Sequence, residues 1–352
     1  MPSVTPDRLT RFAAALFVAA GAPPADAEAV AEHLVDANRS GHDSHGVVRA
    51  PAYLQAIAEG RTVPGAELRL ERDDGATAIL DGGWNFGQLV AARAMALASE
   101  RARAHGVAVV LAYRSAHVGR LGAYVEQAAA AGLVGVMMAN NHGAGAQVAP
   151  FGGVARRLAT DPMAFGMPTD DPDAPIVLDM ATSVVAEGKV RVARNAERTV
   201  PEGWLLDGAG RPSAEPAALY DDPRGALLPL GAEAGHKGFG LALVVEALAG
   251  ALSPAGTTRP DFERGGNALF VMAIDPERFA GREAFEASLG GLAREVQRPP
   301  FREGASEVLL PGEPERRSRL DRASAIPLDD GTWAQLKAAA LELGVAPPAP
   351  ID

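Results

Sequence analysis

Residues 107–138 read VAVVLAYRSAHVGRLGAYVEQAAAAGLVGVMM, and this stretch decides the fold class. Val107–Leu111 is a run of small and β-branched apolar residues, the composition of a buried strand. Leu121–Ala131 is alanine-rich with apolar residues at helical spacing, Gly132 marks its end, and Val134–Met138 is a second strand. Working outward, the spacing predicts short strands at Ala164–Met167 and Ile176–Leu178 and a helix over Val184–Ala193. A strong helix follows over Lys237–Leu252, then a strand at Leu269–Ile274 and helices over Arg282–Val296 and Trp333–Leu343. Pro201 to Pro229 is rich in Pro, Gly and Asp and reads as surface loop. Upstream lie a helix over Gly87–Ala104, β-like runs at Leu68–Glu71 and Thr77–Leu80, and three helices within the first 60 residues.

Strands and helices therefore mix without a regular βαβ rhythm. The expectation is an α/β (α+β) fold with a mixed sheet and a helical module made by both chain termini. Residues 1–70 with 305–352 form that discontinuous module, and 71–304 form the mixed α/β region. The first helix needs care, because its apolar run follows Arg8 and Arg11 as in a secretory leader. Leu9, Phe12, Ala13, Leu16 and Phe17 fall on one helical face, so it is read as part of the folded protein.

The formal net charge of −11 without a long basic run repels a phosphate backbone, so nucleic acid is not an expected partner. The absence of cysteine among 352 residues removes disulfides, thiolate metal sites and a Cys nucleophile, and it suits a reducing cytoplasm. Leu241–Leu252 is too short to span a bilayer and contains Glu246, so no membrane partner is expected.

Chemistry concentrates in Asp43-Ser44-His45-Gly46-Val47-Val48-Arg49, where a polar loop runs into a helix. With the helix beginning near Gly46, His45 and Arg49 lie four residues apart and can face one pocket. Reducing a 2-oxo acid requires a cation for the carboxylate and a proton donor at the carbonyl oxygen. Arg49 and His45 are of the right types, although the same residues are readable as a surface ion pair and a helix cap. His117 follows a strand, where catalytic groups collect in α/β proteins. His42, Asp43 and His45 also invite a zinc reading, but no HExxH is present, and Ser44 lacks the G-x-S-x-G of a hydrolase elbow; no metal is expected.

Gly143-Ala144-Gly145 begins like a dinucleotide fingerprint, yet the third glycine is missing and Pro150 interrupts the helix that should follow. The nucleotide site is therefore expected to be of a non-Rossmann kind. Gly235-His236-Lys237-Gly238 opens a helix and offers free N–H groups and two potentially cationic side chains to a pyrophosphate. Asp179-Met180-Ala181-Thr182-Ser183 sits at a strand-to-helix junction. There Asp179 is placed to orient a histidine or bind a ribose hydroxyl, and Thr182 or Ser183 to cap a helix.

Together these segments resemble the malate/L-lactate dehydrogenase family of the non-Rossmann type, which includes ureidoglycolate, sulfolactate and diketogulonate dehydrogenases and cyclic-imine reductases. The ordered matches are Ser44-His45-Gly46 with Arg49 and Tyr53, His117 with Gly119 and Tyr124, Ala149-Pro150-Phe151-Gly152-Gly153, and Leu158-Ala159-Thr160-Asp161-Pro162. They continue through Asp179–Ser183, Gly188-Lys189, Pro201-Glu202-Gly203-Trp204, His236-Lys237-Gly238 and Pro311-Gly312-Glu313. The resemblance covers nearly the whole chain and leans toward the hydroxycarboxylate dehydrogenase subgroup. It implies hydride transfer between NAD or NADP, with NAD placed first, and a 2-oxo or 2-hydroxy acid. The rival substrate is a cyclic imine such as piperideine- or pyrroline-2-carboxylate; a non-catalytic dinucleotide-binding protein is the rival of another class.

The resemblance further implies a homodimer. Arg49, with Thr160, would bind substrate, and His45 with Ser44 and Asp179, or His117, would serve as acid/base. Asn140, Asn141, Met180, Ala181, Thr182, Ser183, His236, Lys237, Gly312 and Glu313 would hold the cofactor. Two departures stand out: Asp161 where Asn is usual, and Glu215 where Asp is common. Neither removes a proposed acid/base.

Overall fold

The computed structural model describes residues 2–142, 145–195, 197–259 and 264–351, so Gly143 and Ala144 of the glycine-rich run lie outside the described residues. The two ends of the chain meet. Strand β1 (Ser3–Val4) pairs antiparallel with β12 (Ile326–Pro327), and Ser3 also bridges to Ile351. Helices α1 (Pro6–Ala19), α2 (Pro24–Arg39), α3 (Ala50–Ala58) and α10 (Asp330–Leu343) pack around one core. The apolar stripe of α1 is buried, and Phe17 lies between Tyr53 and Phe86 with ring centroids 6.4 and 5.6 Å away. Phe12 meets Trp333 edge-on at 6.1 Å, so neither terminus completes this core alone. Each such ring contributes roughly 1.5–3 kcal/mol by burial.

The main sheet has seven strands: β2 (Arg69–Asp73), β3 (Thr77–Asp81), β4 (Val107–Ser115), β5 (Val134–His142), β6 (Met163–Met167), β7 (Ile176–Met180) and β11 (Gly266–Ile274), in the order β2-β3-β4-β11-β5-β6-β7. The decisive stretch thus supplies β4 and β5, but β11 enters antiparallel between them. Helices α4 (Gly87–His105) and α5 (Gly122–Ala130) cover one face. The other face is covered by α7 (His236–Val245) and the π-helical turn Glu246–Ala251. The single helix expected over Lys237–Leu252 changes its winding at Glu246, a residue that leaves the helix pattern to bond elsewhere.

This topology gathers chain segments at one edge. The carboxyl ends of β4, β5 and β7 and the start of β6 and β11 all lie there. In the register, Asn267 at the start of β11 stands beside Ser115 on one side and Asn141 on the other. The Pro201–Pro229 loop expectation is corrected. That segment contributes the three-stranded sheet β10-β8-β9, made of β8 (Leu205–Leu206), β9 (Pro212–Ser213) and β10 (Ala226–Leu227), with Leu205 and Leu227 fully buried. Strands of two residues are too short for alternation to appear in the sequence. With α6 (Glu187–Asn195) they form a small core of their own. Helix α8 (Arg282–Val296) matches its expected span, whereas α9 (Glu313–Asp321), with no buried residue, carries no apolar period and was not foreseen.

Candidate active site

His45 and Arg49 do not share a regular helix. Asp43–His45 and Val47–Arg49 are two short 3-10 turns broken at Gly46, and α3 begins at Ala50. The i,i+4 argument is therefore corrected in its mechanism. The segment is folded by Asn38, whose amide Nδ2 donates to Asp43 at 2.7 Å and whose Oδ1 accepts from Val47 N–H at 2.9 Å. A Cβ on Gly46 would lie 2.2 Å from Asn38 Oδ1, so no larger residue fits. From the far end of the chain Arg322 donates to Asp43 at 2.7 Å and to the Asn38 carbonyl.

The two side chains nevertheless reach one cleft. His45, Arg49 and His117 line a cavity of about 180 Å³ with Asn140, Asn141, Thr160, Asp161 and Asn267. Arg49, His117, Asn141 and Asn267 also line an adjoining cavity of about 240 Å³ that reaches Tyr53, Phe86, Gln88, Arg61 and Thr62. The His45 and His117 rings stack, with centroids 5.8 Å apart and planes 18° from parallel. Ser44 Oγ lies 3.0 Å from His45 Nδ1. Gln88 donates to Tyr53 Oη at 3.0 Å, and Tyr53 Oη lies 2.7 Å from His117 Nδ1. One proton joins the phenol and Nδ1, and the tautomer of His117 sets which of the two donates.

Arg49 Nε donates to the Ser44 carbonyl at 2.6 Å, and no carboxylate among the described residues pairs with its guanidinium. Burial lowers its pKa while Tyr53 and Glu187 raise it, and a guanidinium stays charged throughout. The cleft therefore holds a desolvated cation with no carboxylate paired to it, since Glu187, which shares the cavity, is engaged by Arg191 and Tyr220. The cation acts on its neighbours: burial and Arg49 push His117 down to about 3, and burial, His117 and Arg49 hold His45 well below the ordinary histidine value. Both rings are neutral at neutral pH.

A third compartment, about 410 Å³, opens on the other side of His45 and Thr160. Ser44, Asp179, Met180, Ala181, Ser183 and Lys189 line it. Asp179 does not orient His45: its Oδ2 accepts from Gly122 N–H at 2.7 Å, capping α5, and burial raises its pKa. Thr182 is buried and donates to the Thr160 carbonyl at 3.1 Å, and Ser183 donates to the Val185 carbonyl at 2.8 Å. Thr160 thus faces the cleft while its carbonyl ties two strands together. Asn140 is fully buried, with its amide engaged by Glu246 and the Gly256 carbonyl, and its own carbonyl accepts from Asn267 at 2.8 Å.

His236 and Lys237 are exposed at the start of α7, outside these cavities, although Gly238 N–H bonds Leu230, which in turn bonds Thr182. Gly312 and Glu313 sit at the start of α9 beside the opposite end of β7, where the Glu313 carboxylate accepts from Leu310 N–H and Gln297. They shape their own turn and do not line the cleft. Gln88 and Asn267 line it without having been singled out. Gln88 is one of several polar residues of α4 and Asn267 the one polar residue of β11, and Asn267 Oδ1 accepts from Val118 N–H across 149 positions, which no local pattern reveals. Among the described residues no cluster of His, Asp or Glu suits a metal ion, and no helix is long and apolar enough to cross a membrane.

The malate/L-lactate dehydrogenase family model matches residues 4–337. An L-lactate dehydrogenase of Cupriavidus necator is 38% identical over 335 residues, 94% of this chain and 95% of that protein. Hydroxycarboxylate dehydrogenase B of Escherichia coli O157:H7 is 38% identical over 96% of this chain and 93% of its own. The solved structure of a putative malate/lactate dehydrogenase from E. coli superposes with a TM-score of 0.90 at 36% identity, covering 97% of this chain and 95% of that one.

Proposed function

This chain belongs to the malate/L-lactate dehydrogenase family and is an oxidoreductase of 2-hydroxy acids, and from that premise we propose that Arg49 holds the substrate carboxylate beside His45 and His117. The observation that carries the reading is the unpaired Arg49 guanidinium in a cleft shared with two neutral imidazoles. A 2-oxo acid brings the missing counter-charge, and a planar guanidinium receives a carboxylate through paired N–H groups. Its arrival also offsets the part of the lowering that Arg49 adds to burial, so the proton affinity of the rings rises when substrate is present. One imidazole then carries a proton next to the substrate oxygen; in the oxidative direction the neutral ring takes it back. Tyr53 and Gln88 orient His117, and Ser44 orients His45.

The nicotinamide cofactor supplies or accepts the hydride. The compartment beside His45 fits such a group: small residues Gly119, Ala181 and Ala186 leave room for a flat ring, and Lys189 offers charge to a phosphate. Met180, Ala181, Ser183 and Asn141 are proposed to hold it, with Asn140 and Thr182 fixing the walls, and His236 and Lys237 at the exposed start of α7 to meet the pyrophosphate. NAD is placed ahead of NADP.

A homodimer is proposed as well, supported by exposed apolar residues of α7 and the end of its π-helical turn, Leu243 at 48%, Val244 at 44% and Leu252 at 58%. Size-exclusion chromatography with light scattering checks it. A cytoplasmic setting is the companion proposal, supported by the cysteine-free composition.

The test is a kinetic matrix of NADH and NADPH against oxaloacetate, pyruvate, phenylpyruvate, 2-oxoglutarate and piperideine-2-carboxylate. Oxidation of a reduced nucleotide with at least one 2-oxo acid is expected. Turnover confined to the cyclic imine, or nucleotide binding with no oxidation at all, would replace the reading.

A further inference from the structure

Behind the cleft floor lies a second carboxyl arrangement that hydride transfer does not use. Asp161, between Thr160 and Pro162, is 1% exposed and takes a left-handed backbone conformation at φ 37°. Both of its carboxyl oxygens are buried without a donor from another residue among those described. Glu246, the first residue of the π-helical turn and itself 5% exposed, is the acid that bears on it, and both segments meet the end of β5, where Ala139 N–H donates to the Pro162 carbonyl and the Asn140 amide donates to Glu246. Glu246 is well supplied with donors: Thr258 N–H reaches it at 2.8 Å, the Asn140 amide at 3.3 Å, and the Thr258 hydroxyl also approaches it.

Counting protons decides the state of this pair. The Thr258 hydroxyl has one proton but lies against two acceptors, Glu246 Oε1 and the Asn141 carbonyl at 2.9 Å. Two buried carboxylates facing one another cannot both be ionised without a cation between them, and none stands there among the described residues. One proton must therefore be held by the acids. It belongs on Asp161, because Glu246 already accepts from Thr258 N–H and the Asn140 amide, with the Thr258 hydroxyl also against it, whereas Asp161 has no donor outside its own residue.

We propose that Asp161 and Glu246 share a single proton, and that this proton-bridged pair clamps the floor of the ligand cleft as a positioning device. The clamp joins three segments: the turn before β6 that carries Thr160, the end of β5 that carries Asn140 and Asn141, and the chain before β11 that carries Thr258. Burial, with Glu246 opposite, holds the Asp161 carboxyl well above the usual range, in line with that geometry. The remaining titratable groups on the cleft side are His45, Arg49, His117 and Glu187. When the bridging proton leaves in alkaline solution, two like charges are forced together and the three segments part, so ligand affinity falls.

The test has two readouts on wild type, Asp161→Asn and Glu246→Gln. Thermal unfolding against pH needs no ligand. Because the folded Asp161 pKa exceeds the unfolded one, wild type binds more protons folded than unfolded between the two values, and its stability declines as pH rises across that window. Asp161→Asn removes this decline, since an amide donates to Glu246 without titrating. NADH and NADPH binding, followed by nucleotide fluorescence, rests on the functional reading above. Wild-type affinity is expected to weaken about tenfold per pH unit beyond the titration of Asp161, and to stay level in either amide variant.

The proposal is overturned if wild type and both variants lose stability in parallel as pH rises, or if wild type shows no alkaline loss of nucleotide affinity. Should one variant not fold, the other still decides. If wild type binds neither nucleotide at neutral pH the functional reading fails, while the unfolding profiles still judge the shared proton.

Discussion

Two His–Arg neighbourhoods sit a short distance apart at the junction of the helical module and the sheet, and they differ in one respect. In the first, His33 stacks on Tyr124 at 5.2 Å and accepts from Arg120 N–H, while the Arg120 guanidinium, 2% exposed, pairs with Glu126 at 2.8 Å and Asp36 at 3.2 Å. Arg319 from α9 completes the network by bonding both carboxylates. In the second, His45 stacks on His117, and Arg49 has a backbone carbonyl but no carboxylate. The chain supplies the counter-charge in one place and withholds it in the other. The first ties α2, α5 and α9 together; the second is the site proposed to receive an anion. A buried cation is informative about function through the partner it lacks.

The largest effect that sharpens this contrast is expected from Arg49→Leu. It should lower kcat/KM for 2-oxo acids by about a thousandfold, roughly 4 kcal/mol of transition-state stabilisation. The melting temperature should hold or rise, because a desolvated cation has been removed; a large loss of stability would show Arg49 to be a structural residue. Arg120→Leu is the opposite case. Leaving Asp36 and Glu126 with Arg319 as their one shared cation should destabilise the fold by about 3 kcal/mol, measured by denaturant unfolding, with little change in KM while the protein stays folded. A variant with full stability and weakened substrate binding would invert the comparison.

A smaller effect is expected from Tyr53→Phe, which deletes the hydrogen-bond partner of His117 Nδ1. It should reduce kcat about tenfold, roughly 1.4 kcal/mol, and shift the pH–rate profile, while KM changes little. An unchanged profile would dissociate Tyr53 from proton transfer. The smallest effect concerns pH and His33, which burial and Arg120 push down to about 4. Between about pH 6.5 and 4 the unfolded chain binds the proton that the folded one refuses, so stability declines as the solution is acidified through that window. His33→Gln keeps an acceptor for Arg120 N–H and should make the decline shallower in pH-dependent thermal melts; an identical slope would remove His33 from the acid response.

Much of the architecture was legible because long elements leave strong periods. The apolar stripe of α1 and the β4–α5–β5 run are such cases, and the strands extend to Ser115 and His142, beyond the expected ends, because polar residues there still pair with β11. Two-residue strands such as Leu205–Leu206 and the fully polar α9 left no period to read. His45, Arg49 and His117 were recognisable by chemical type and by resemblance. Their convergence was not, because it depends on Asn38 folding the segment at Gly46 and on Tyr53 reaching across 64 positions to His117. Asp179 shows the same limit: a carboxylate at the end of a strand, read as placed to orient a histidine, is turned instead to a helix N-terminus. The Asp161–Glu246 pairing joins two segments far apart in the chain, and nothing local foretells it.

The central claim is that the Arg49 charge meets the substrate carboxylate. It is tested most directly by comparing a 2-oxo acid with its methyl ester, the uncharged analogue, in wild type and in Arg49→Leu. The account predicts that wild type favours the acid by about a thousandfold in kcat/KM and that the variant reduces acid and ester alike. If the variant keeps the wild-type preference for the acid, the carboxylate is held elsewhere and Arg49 is not its partner.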